Sequence, residues 1–154
     1  MKLNRLIATG FGLGYSPIAS GTTGSLPGLL IVMAIAPLEL SMQVALAAVL
    51  VVIAIPICGA AENHFGRKDD GRIVADEYLT FPICTLGLPW IAHPWLLGVA
   101  FVTNRVMDII KPPPARQAQN LQGGLGIVLD DVASSLYALA LNHVFWWAWV
   151  RWMM

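Results

Sequence analysis

Seven carboxylates in two short segments are the residues whose types and spacing point most directly to chemistry. They form four groups: Asp69-Asp70, Asp76-Glu77, Asp108 and Asp130-Asp131. Mg²⁺ prefers carboxylate ligands together with water and phosphate oxygens. Because only 12% of the chain is charged, this concentration of acids predicts a site for a hard divalent cation. The alternative is a set of solvated loop charges and helix caps.

Arg105, Asp108 and Lys111 add two cations beside these acids, at intervals of three residues. On a helix such steps keep side chains on neighbouring turns of one broad face. A cation, a carboxylate and a second cation in that order can hold a metal–phosphate pair. The alternative is an intrahelical ladder of salt bridges. The prolines at 112–114 then end the helix.

Two glycine-rich segments complete the candidate site. The first, SGTTGSLP at residues 20–27, offers the hydroxyls of Thr22 and Ser25 and free backbone N–H groups, which suit phosphate binding. The second, GGLG at residues 123–126, predicts a tight turn ahead of the last pair of acids. Adjacent residues on a helix point about 100° apart, so only one acid of each pair is expected to reach a given metal. The alternative for these glycines is close helix packing in lipid.

Long uncharged stretches surround the polar segments. No Asp, Glu, Lys or Arg occurs in residues 6–38, 40–61, 78–104 or 132–150. Zero formal net charge and 57% hydrophobic residues go with a mean hydropathy of +0.69. These values exclude a disordered chain, a basic nucleic-acid-binding module and a typical hydrophilic soluble enzyme. They predict a membrane protein, since ionisable groups are costly in hydrocarbon.

Two of the uncharged stretches are predicted to cross the membrane. Residues 40–61 and 132–150 match the roughly 20 apolar residues that a spanning helix needs. Tryptophans at the end of the second stretch resemble an interfacial belt, although a buried helix of a bundle is the alternative. Residues 26–38 and 78–104 are interrupted by Pro and Gly, which favours half-helices or re-entrant segments. We therefore expect one all-α domain over residues 1–154, with two to four membrane-embedded segments.

The acidic segments at 62–77 and 105–131 must lie on one side of the membrane if they form one site. The break inside residues 78–104 allows the chain to return to that side. Both segments are also rich in Lys and Arg, as cytoplasmic loops are. The sequence thus predicts a site that faces the cytoplasm.

Four motifs, taken in order, identify the chain as a member of a known family. GFGLGYSPIASGTTGSLPG (10–28), DGRIVADEYLTF (70–81), NRVMDIIKPPP (104–114) and GGLGIVLDD (123–131) closely resemble phosphatidylglycerophosphatase A. The resemblance covers about residues 5–135 and departs from the family pattern at Ala75, Pro113, Gln117-Ala118 and Ser134-Ser135. None of these positions is one of the main acids.

That resemblance implies a compact all-helical membrane protein, in which a central helix is surrounded by others. It also implies a Mg²⁺-dependent phosphatase that converts phosphatidylglycerophosphate to phosphatidylglycerol and inorganic phosphate at the bacterial inner membrane. Membrane lipids are then its partners, nucleic acid is not, and the oligomeric state is left open. The matching positions are Thr22, Ser25, Asp69, Asp76, Glu77, Arg105, Asp108, Lys111, Asp130 and Asp131.

These residues suggest a division of roles. We expect Asp76, Glu77, Asp130 and Asp131 to hold Mg²⁺, with Asp69 as an accessory group. The phosphate oxygens are assigned to Arg105 and Lys111, assisted by Thr22 and Ser25. Asp108 is the preferred base for the attacking water, and Asp76 and Asp131 are counted with it as catalytic. The alternatives are a phosphatase of another lipid such as phosphatidate, a small cation transporter, and a non-catalytic membrane scaffold.

Overall fold

The computed structural model describes residues 2–154, and every ordered element in that range is helical. Eight α-helices follow one another along the chain, with 3₁₀ turns at Leu13–Tyr15 and Phe81–Thr85. The helices are α1 Lys2–Ala8, α2 Ser20–Gly24, α3 Leu26–Ile35, α4 Leu40–Phe65, α5 Ala75–Thr80, α6 Trp95–Ile110, α7 Ala115–Ala118 and α8 Gly124–Met153.

Helix α8 is the central element. It packs against α4, α5, α6 and α7, and against the 3₁₀ turn at Phe81–Thr85. The shorter helices α2 and α3 contact α5, so that α5 lies between them and the two long helices. The expected all-α architecture around a central helix is confirmed.

Helices α4 and α8 are both long and apolar enough to cross a membrane. At 1.5 Å per residue, α4 is about 39 Å long and α8 about 45 Å long, against about 30 Å of hydrocarbon. Only 22% of the most apolar stretch of α4 is buried inside the protein. A core helix of a soluble protein would be mostly buried, so the exposed apolar surface of α4 is suited to lipid. Both predicted spans are therefore present as helices.

Close backbone contact between α4 and α8 depends on glycine. A Cβ on Gly124 would lie 2.0 Å from the carbonyl oxygen of Ile55 and 2.6 Å from the backbone nitrogen of Gly59. The sequence predicted a tight turn over residues 123–126, but only Gly123 has a left-handed φ, of 68°. Gly124 and Gly126 belong to α8, which starts eight residues before the predicted span. The missing side chain of Gly124 allows α8 to touch α4.

The interrupted stretch 78–104 is not one helix. It continues α5 into the buried 3₁₀ turn and then passes through a loop at 86–94 into α6. Asn142 of α8 joins these parts: its Oδ1 accepts a hydrogen bond from Thr103 at 2.7 Å and its Nδ2 donates one to the Cys84 carbonyl at 2.9 Å. Cys58 and Cys84 are buried free thiols, as their apolar surroundings predicted.

Helix α6 ends one residue before Lys111. That lysine has a left-handed φ of 49°, and the following Pro112 disfavours right-handed helical backbone at this position. The expected helical spacing of Arg105, Asp108 and Lys111 therefore holds only for the first two. The turn at Lys111 directs its ammonium group toward α8.

Candidate active site

The polar side chains gather where α5, the last turns of α6 and the first turns of α8 meet. Helix α5 contributes Asp76 and Glu77, and α8 contributes Asp130 and Asp131. Helix α6 and its cap contribute Arg105, Asp108 and Lys111, and Ser25 arrives at the start of α3. All of these are buried or partly buried. The structure thus joins residues that are more than 100 positions apart in sequence.

Arg105 is the cation of one half of the site. Its Nη1 lies 2.9 Å from Glu77 Oε2, and both side chains are almost entirely enclosed, with 14% and 13% exposed. The Ser25 hydroxyl also donates to Glu77 Oε2, at 2.9 Å. Burial raises the pKa of Glu77 to about 7, although Arg105 opposes this shift. The ion pair is therefore poorly solvated. In such surroundings, replacing the Glu77 carboxylate beside Arg105 by another anion changes the electrostatic energy strongly.

Lys111 is the cation of the other half. Its Nζ lies 2.5 Å from Asp130 Oδ2 and 3.8 Å from Asp108 Oδ1. Burial disfavours the ammonium, but the hydrogen bond to Asp130 and the charges of Asp130, Asp108 and Asp131 together outweigh burial and raise the pKa of Lys111. Asp108 also bonds Arg105 Nη2 at 3.1 Å. The salt-bridge ladder considered from sequence is thus present, and it extends to α5 and α8.

Asp76 and Asp131 form the centre between the two halves. Asp131 lies close enough to Asp76 and Asp108 for the charges of those two carboxyl groups to act on it. Burial and the charge of Glu77 raise the pKa of Asp76 well above its usual value. One oxygen of each, Asp76 Oδ1 and Asp131 Oδ2, is buried without a hydrogen-bond partner. Such oxygens need a proton or a cation.

The donor set therefore fits a hard cation in its chemistry. In the part of the chain that the structure describes, however, no three Asp, Glu, His or Cys side chains are arranged in a ready coordination shell. Glu77 and Asp130 are turned toward Arg105 and Lys111, whereas Asp76 and Asp131 keep bare oxygens. A cation with several ligands would require Glu77 or Asp130 to rotate.

The remaining predicted residues lie at the edge of this cluster. Thr22 is exposed on α2, and its hydroxyl makes no hydrogen bond within residues 2–154. Asp69 is exposed, has a left-handed φ of 50°, and is close enough for its charge to raise the pKa of Asp76. Its backbone N–H donates to Glu62 Oε1 at 3.3 Å. Asp70 is outside the cluster, since it bonds Arg72 Nε at 2.7 Å.

Two residues near the cluster were not assigned a site role from sequence. A Cβ on Gly21 would lie 2.6 Å from both Arg105 Nη2 and Glu77 Oε1, so only glycine leaves room for that ion pair. Ser134, one turn after Asp130 and Asp131 on α8, has a buried hydroxyl without a hydrogen-bond partner. The run of hydroxyls and glycines at residues 20–25 was a sequence signal that could have pointed to Gly21. For Ser134 the only signal was that Ser134-Ser135 departs from the family pattern.

Span-length apolar helices and a buried cluster of acids and cations together define a membrane-type helical protein with a site for a charged ligand. The family model described as Phosphatidylglycerophosphatase A matches residues 6–146. The chain belongs to the phosphatidylglycerophosphatase A family and is a phosphatase.

Curated relatives agree with this assignment. The Escherichia coli protein named Phosphatidylglycerophosphatase A is 33% identical over 90% of this chain and 80% of its own length. The Haemophilus influenzae protein of the same name is 34% identical over 87% of this chain and 83% of its length. A Bacteroides thetaiotaomicron protein is 34% identical, covers 92% of both chains, and carries the provisional name phosphatidylinositol-3-phosphatase. No solved structure matches the chain.

Proposed function

We propose that this chain hydrolyses the terminal phosphomonoester of phosphatidylglycerophosphate to phosphatidylglycerol and inorganic phosphate, with Mg²⁺ as cofactor. One observation carries the proposal: Arg105 and Lys111 are each held by a buried carboxylate, while Asp76 and Asp131 between them keep unpaired buried oxygens. Cations for an anionic group and bare carboxylates for a metal are the two components that phosphate-ester hydrolysis requires. The names of the E. coli and H. influenzae relatives supply the substrate.

Asp76 and Asp131 are the ligands we assign first to Mg²⁺, with Glu77 and Asp130 joining after they leave their cationic partners. Bound there, Mg²⁺ would neutralise charge on the phosphate and activate water. Without a cation, the cluster would repel the doubly charged phosphomonoester. Turnover is therefore expected to depend on metal.

Arg105 and Lys111 are assigned to the phosphate oxygens. When substrate enters, its anionic oxygens take the place of the Glu77 and Asp130 carboxylates on these cations, and the Ser25 hydroxyl adds a donor beside Arg105. Each carboxylate that is released becomes available as a metal ligand. The same pairs would thus hold the site together before substrate binds and exchange partners when it does.

Asp108 is the base in this proposal. It contacts both Arg105 and Lys111, and in this position its carboxylate can take a proton from the water that attacks phosphorus. The water oxygen bonds to phosphorus and the bond from phosphorus to the glycerol oxygen breaks. That glycerol oxygen then takes up a proton to become the new hydroxyl of phosphatidylglycerol.

The proposed location is the bacterial inner membrane, with the site facing the cytoplasm and the acyl chains of the substrate remaining in the bilayer. Four further cations lie in the two segments that carry most of the site residues: Arg67, Lys68, Arg72 and Arg116. Lys and Arg accumulate in cytoplasmic segments of membrane proteins. The two span-length helices and the bacterial relatives support this placement.

Phosphate release from phosphatidylglycerophosphate by the purified protein in detergent tests the proposal. We expect release with Mg²⁺, none in excess EDTA, and a loss of at least about a hundredfold in Asp131→Asn and Glu77→Gln. Glu39→Gln is the matched control, because Glu39 is exposed at the start of α4. Full activity in EDTA would refute the metal role. Faster release from phosphatidate or phosphatidylinositol 3-phosphate would refute the proposed substrate.

A further inference from the structure

An apolar groove runs along α8 directly beyond the active site. Pro114, Ala133, Leu136, Tyr137 and Ala140 line it, and its volume is about 280 Å³. The last four recur at the spacing of one helix face, so they form a continuous stripe. Volumes of ligand sites start at about 300 Å³, so this groove suits a segment of a chain molecule rather than a whole lipid.

The stripe begins at the active site. Asp130 precedes Ala133 by three residues on the same face of α8, and Lys111 is bonded to Asp130. Ala140 is ten residues beyond Asp130, which places it about 15 Å along the helix. Half of the hydrocarbon core measures about the same distance. The groove therefore leads from the phosphate-binding cation to mid-bilayer depth.

One wall of the groove is fixed to the segment that carries Lys111. The Tyr137 hydroxyl donates a hydrogen bond to the Pro113 carbonyl at 2.6 Å. This bond joins α8 to the proline segment that follows Lys111, so the groove and the cation form one connected unit. Leu136 and Tyr137 are 52% and 40% exposed, and their apolar surface is available to an occupant.

We propose that this groove holds one acyl chain of the phospholipid whose phosphomonoester is bound at the active site. The inference rests on the proposed function and adds the hydrocarbon part of substrate recognition to it. A lipid has a phosphate at one end and a chain at the other, and this surface has a cation at one end and an apolar stripe at the other. Continuity with the site favours the substrate lipid over a second copy of this chain.

Ala140→Phe tests the groove at the end farthest from the chemistry. The new ring would fill the part that only a long acyl chain reaches. We expect the KM for long-chain phosphatidylglycerophosphate, as surface concentration in mixed micelles, to rise about tenfold with kcat unchanged. Tenfold corresponds to about 1.4 kcal/mol, the contribution of about two buried methylene groups. A water-soluble short-chain form of the same lipid should show no change.

Ala48→Phe is the matched control, because Ala48 is an exposed alanine on the other span-length helix. The proposal is refuted if Ala140→Phe has equal effects on both lipids or no effect on either. It is also refuted if Ala48→Phe has the same effect as Ala140→Phe. A change of oligomeric state without a change of chain-length preference would refute it too, because that result would indicate a second copy as occupant. If the unchanged protein releases phosphate from neither lipid, the proposed function itself fails.

A measurement on the unchanged chain covers the case in which Ala140→Phe does not fold. A non-hydrolysable phosphonate analogue of long-chain phosphatidylglycerophosphate with a photoreactive group in mid-chain is irradiated with the protein in Mg²⁺, so that the lipid stays intact while it is bound. We expect labelling concentrated in residues 133–140 and suppressed by an excess of the same analogue without the photoreactive group. Labelling spread equally over α4 and α8, or unaffected by the competitor, would overturn the proposal.

Discussion

At the scale of single residues, both cations of the site are paired with carboxylates of the protein in the absence of substrate. Arg105 is shared by Glu77 and Asp108, and Lys111 by Asp108 and Asp130. A buried charge without a partner is strongly unfavourable. The two cations are therefore kept in place by anions of the protein until a phosphate can replace them.

Gly21→Ala is predicted to disturb this arrangement without unfolding the chain. The added methyl would collide with the ends of Arg105 and Glu77, which can move aside but then lose their 2.9 Å contact. We expect kcat to fall by about ten- to a hundredfold, the scale of small misplacements of binding groups. Thermal unfolding in detergent should shift only slightly, because Arg105 keeps Asp108 as a partner and Glu77 keeps the Ser25 hydroxyl.

Gly98→Ala is the control for that variant, since a Cβ at Gly98 meets nothing within 4 Å. It should leave kcat unchanged and, being in the interior of α6, should stabilise the fold by up to about 1 kcal/mol. Equal activity in Gly21→Ala and Gly98→Ala would show that the exact position of the Arg105–Glu77 pair is unimportant.

Asp70 is predicted to affect stability in acid. Its paired bonds to Arg72 lower its pKa from 3.8 to about 2 in the folded protein. A lowered folded-state pKa stabilises the fold above the ordinary value, and this contribution is lost as the pH falls toward the folded-state value. The melting temperature of the wild type should therefore exceed that of Asp70→Asn above about pH 4, and the two should converge toward about pH 2. A constant difference over that range would contradict the assignment.

Much of the candidate site could be proposed from sequence because charge is so rare in this chain. The seven charged side chains of the cluster stand out against apolar surroundings. Their pairing could not be predicted, since it depends on the turn at Lys111 and on where α5 meets α8. Thr22 shares a motif with Ser25, but Thr22 is exposed and Ser25 is buried, because the chain is helical there and the two hydroxyls lie on different sides.

At the scale of elements, the sequence predicted the kind of element better than its ends. Residues 40–61 and 132–150 became helices that extend to Phe65 and back to Gly124. Apolar character sets which residues sit in hydrocarbon, whereas backbone hydrogen bonding continues the helix into the polar segments. Glycine has two different roles here. Gly123 provides a turn and Gly124 provides a close contact between helices, and the same residue type in sequence is compatible with both.

Gly124→Ala tests the contact between α4 and α8. Its Cβ would stand 2.0 Å from the Ile55 carbonyl oxygen, which belongs to a backbone and cannot rotate away. We expect a destabilisation of about 1–3 kcal/mol, as for other overpacked sites, seen as a lower melting temperature in detergent. Leu125→Ala at the exposed neighbouring position should be much milder. Comparable melting temperatures for these two variants would contradict the contact.

At the scale of the whole molecule, α8 carries an acidic end and an aromatic end. Asp131 and Trp149 are 18 residues apart, or about 27 Å along the helix. This is close to the thickness of the hydrocarbon core, about 30 Å. The acids and the tryptophans therefore fit opposite interfaces of one bilayer, and aromatic side chains are enriched at such interfaces.

Cysteine labelling in intact cells tests this placement. Lys68→Cys lies at the site end and Met154→Cys at the other, and both positions are exposed. We expect a membrane-impermeant thiol reagent to modify the cysteine at 154 but not at 68 until the cells are opened. The native thiols, Cys58 and Cys84, are buried and should give little background. Labelling of both positions from outside would contradict the two-span arrangement.

The buried helix α5 and the 3₁₀ turn that follows it have a consequence for biosynthesis. Residues 75–85 are almost entirely enclosed, and much of what encloses them is α8, which the ribosome makes after them. Asp76 and Glu77 therefore emerge before their partners on α6 and α8 exist. Carboxylates are costly in hydrocarbon, so we expect the nascent segment to stay outside the bilayer until these partners are made. A chain interrupted before α8 would display these acids and the apolar turn together, a state suited to recognition by quality-control proteases.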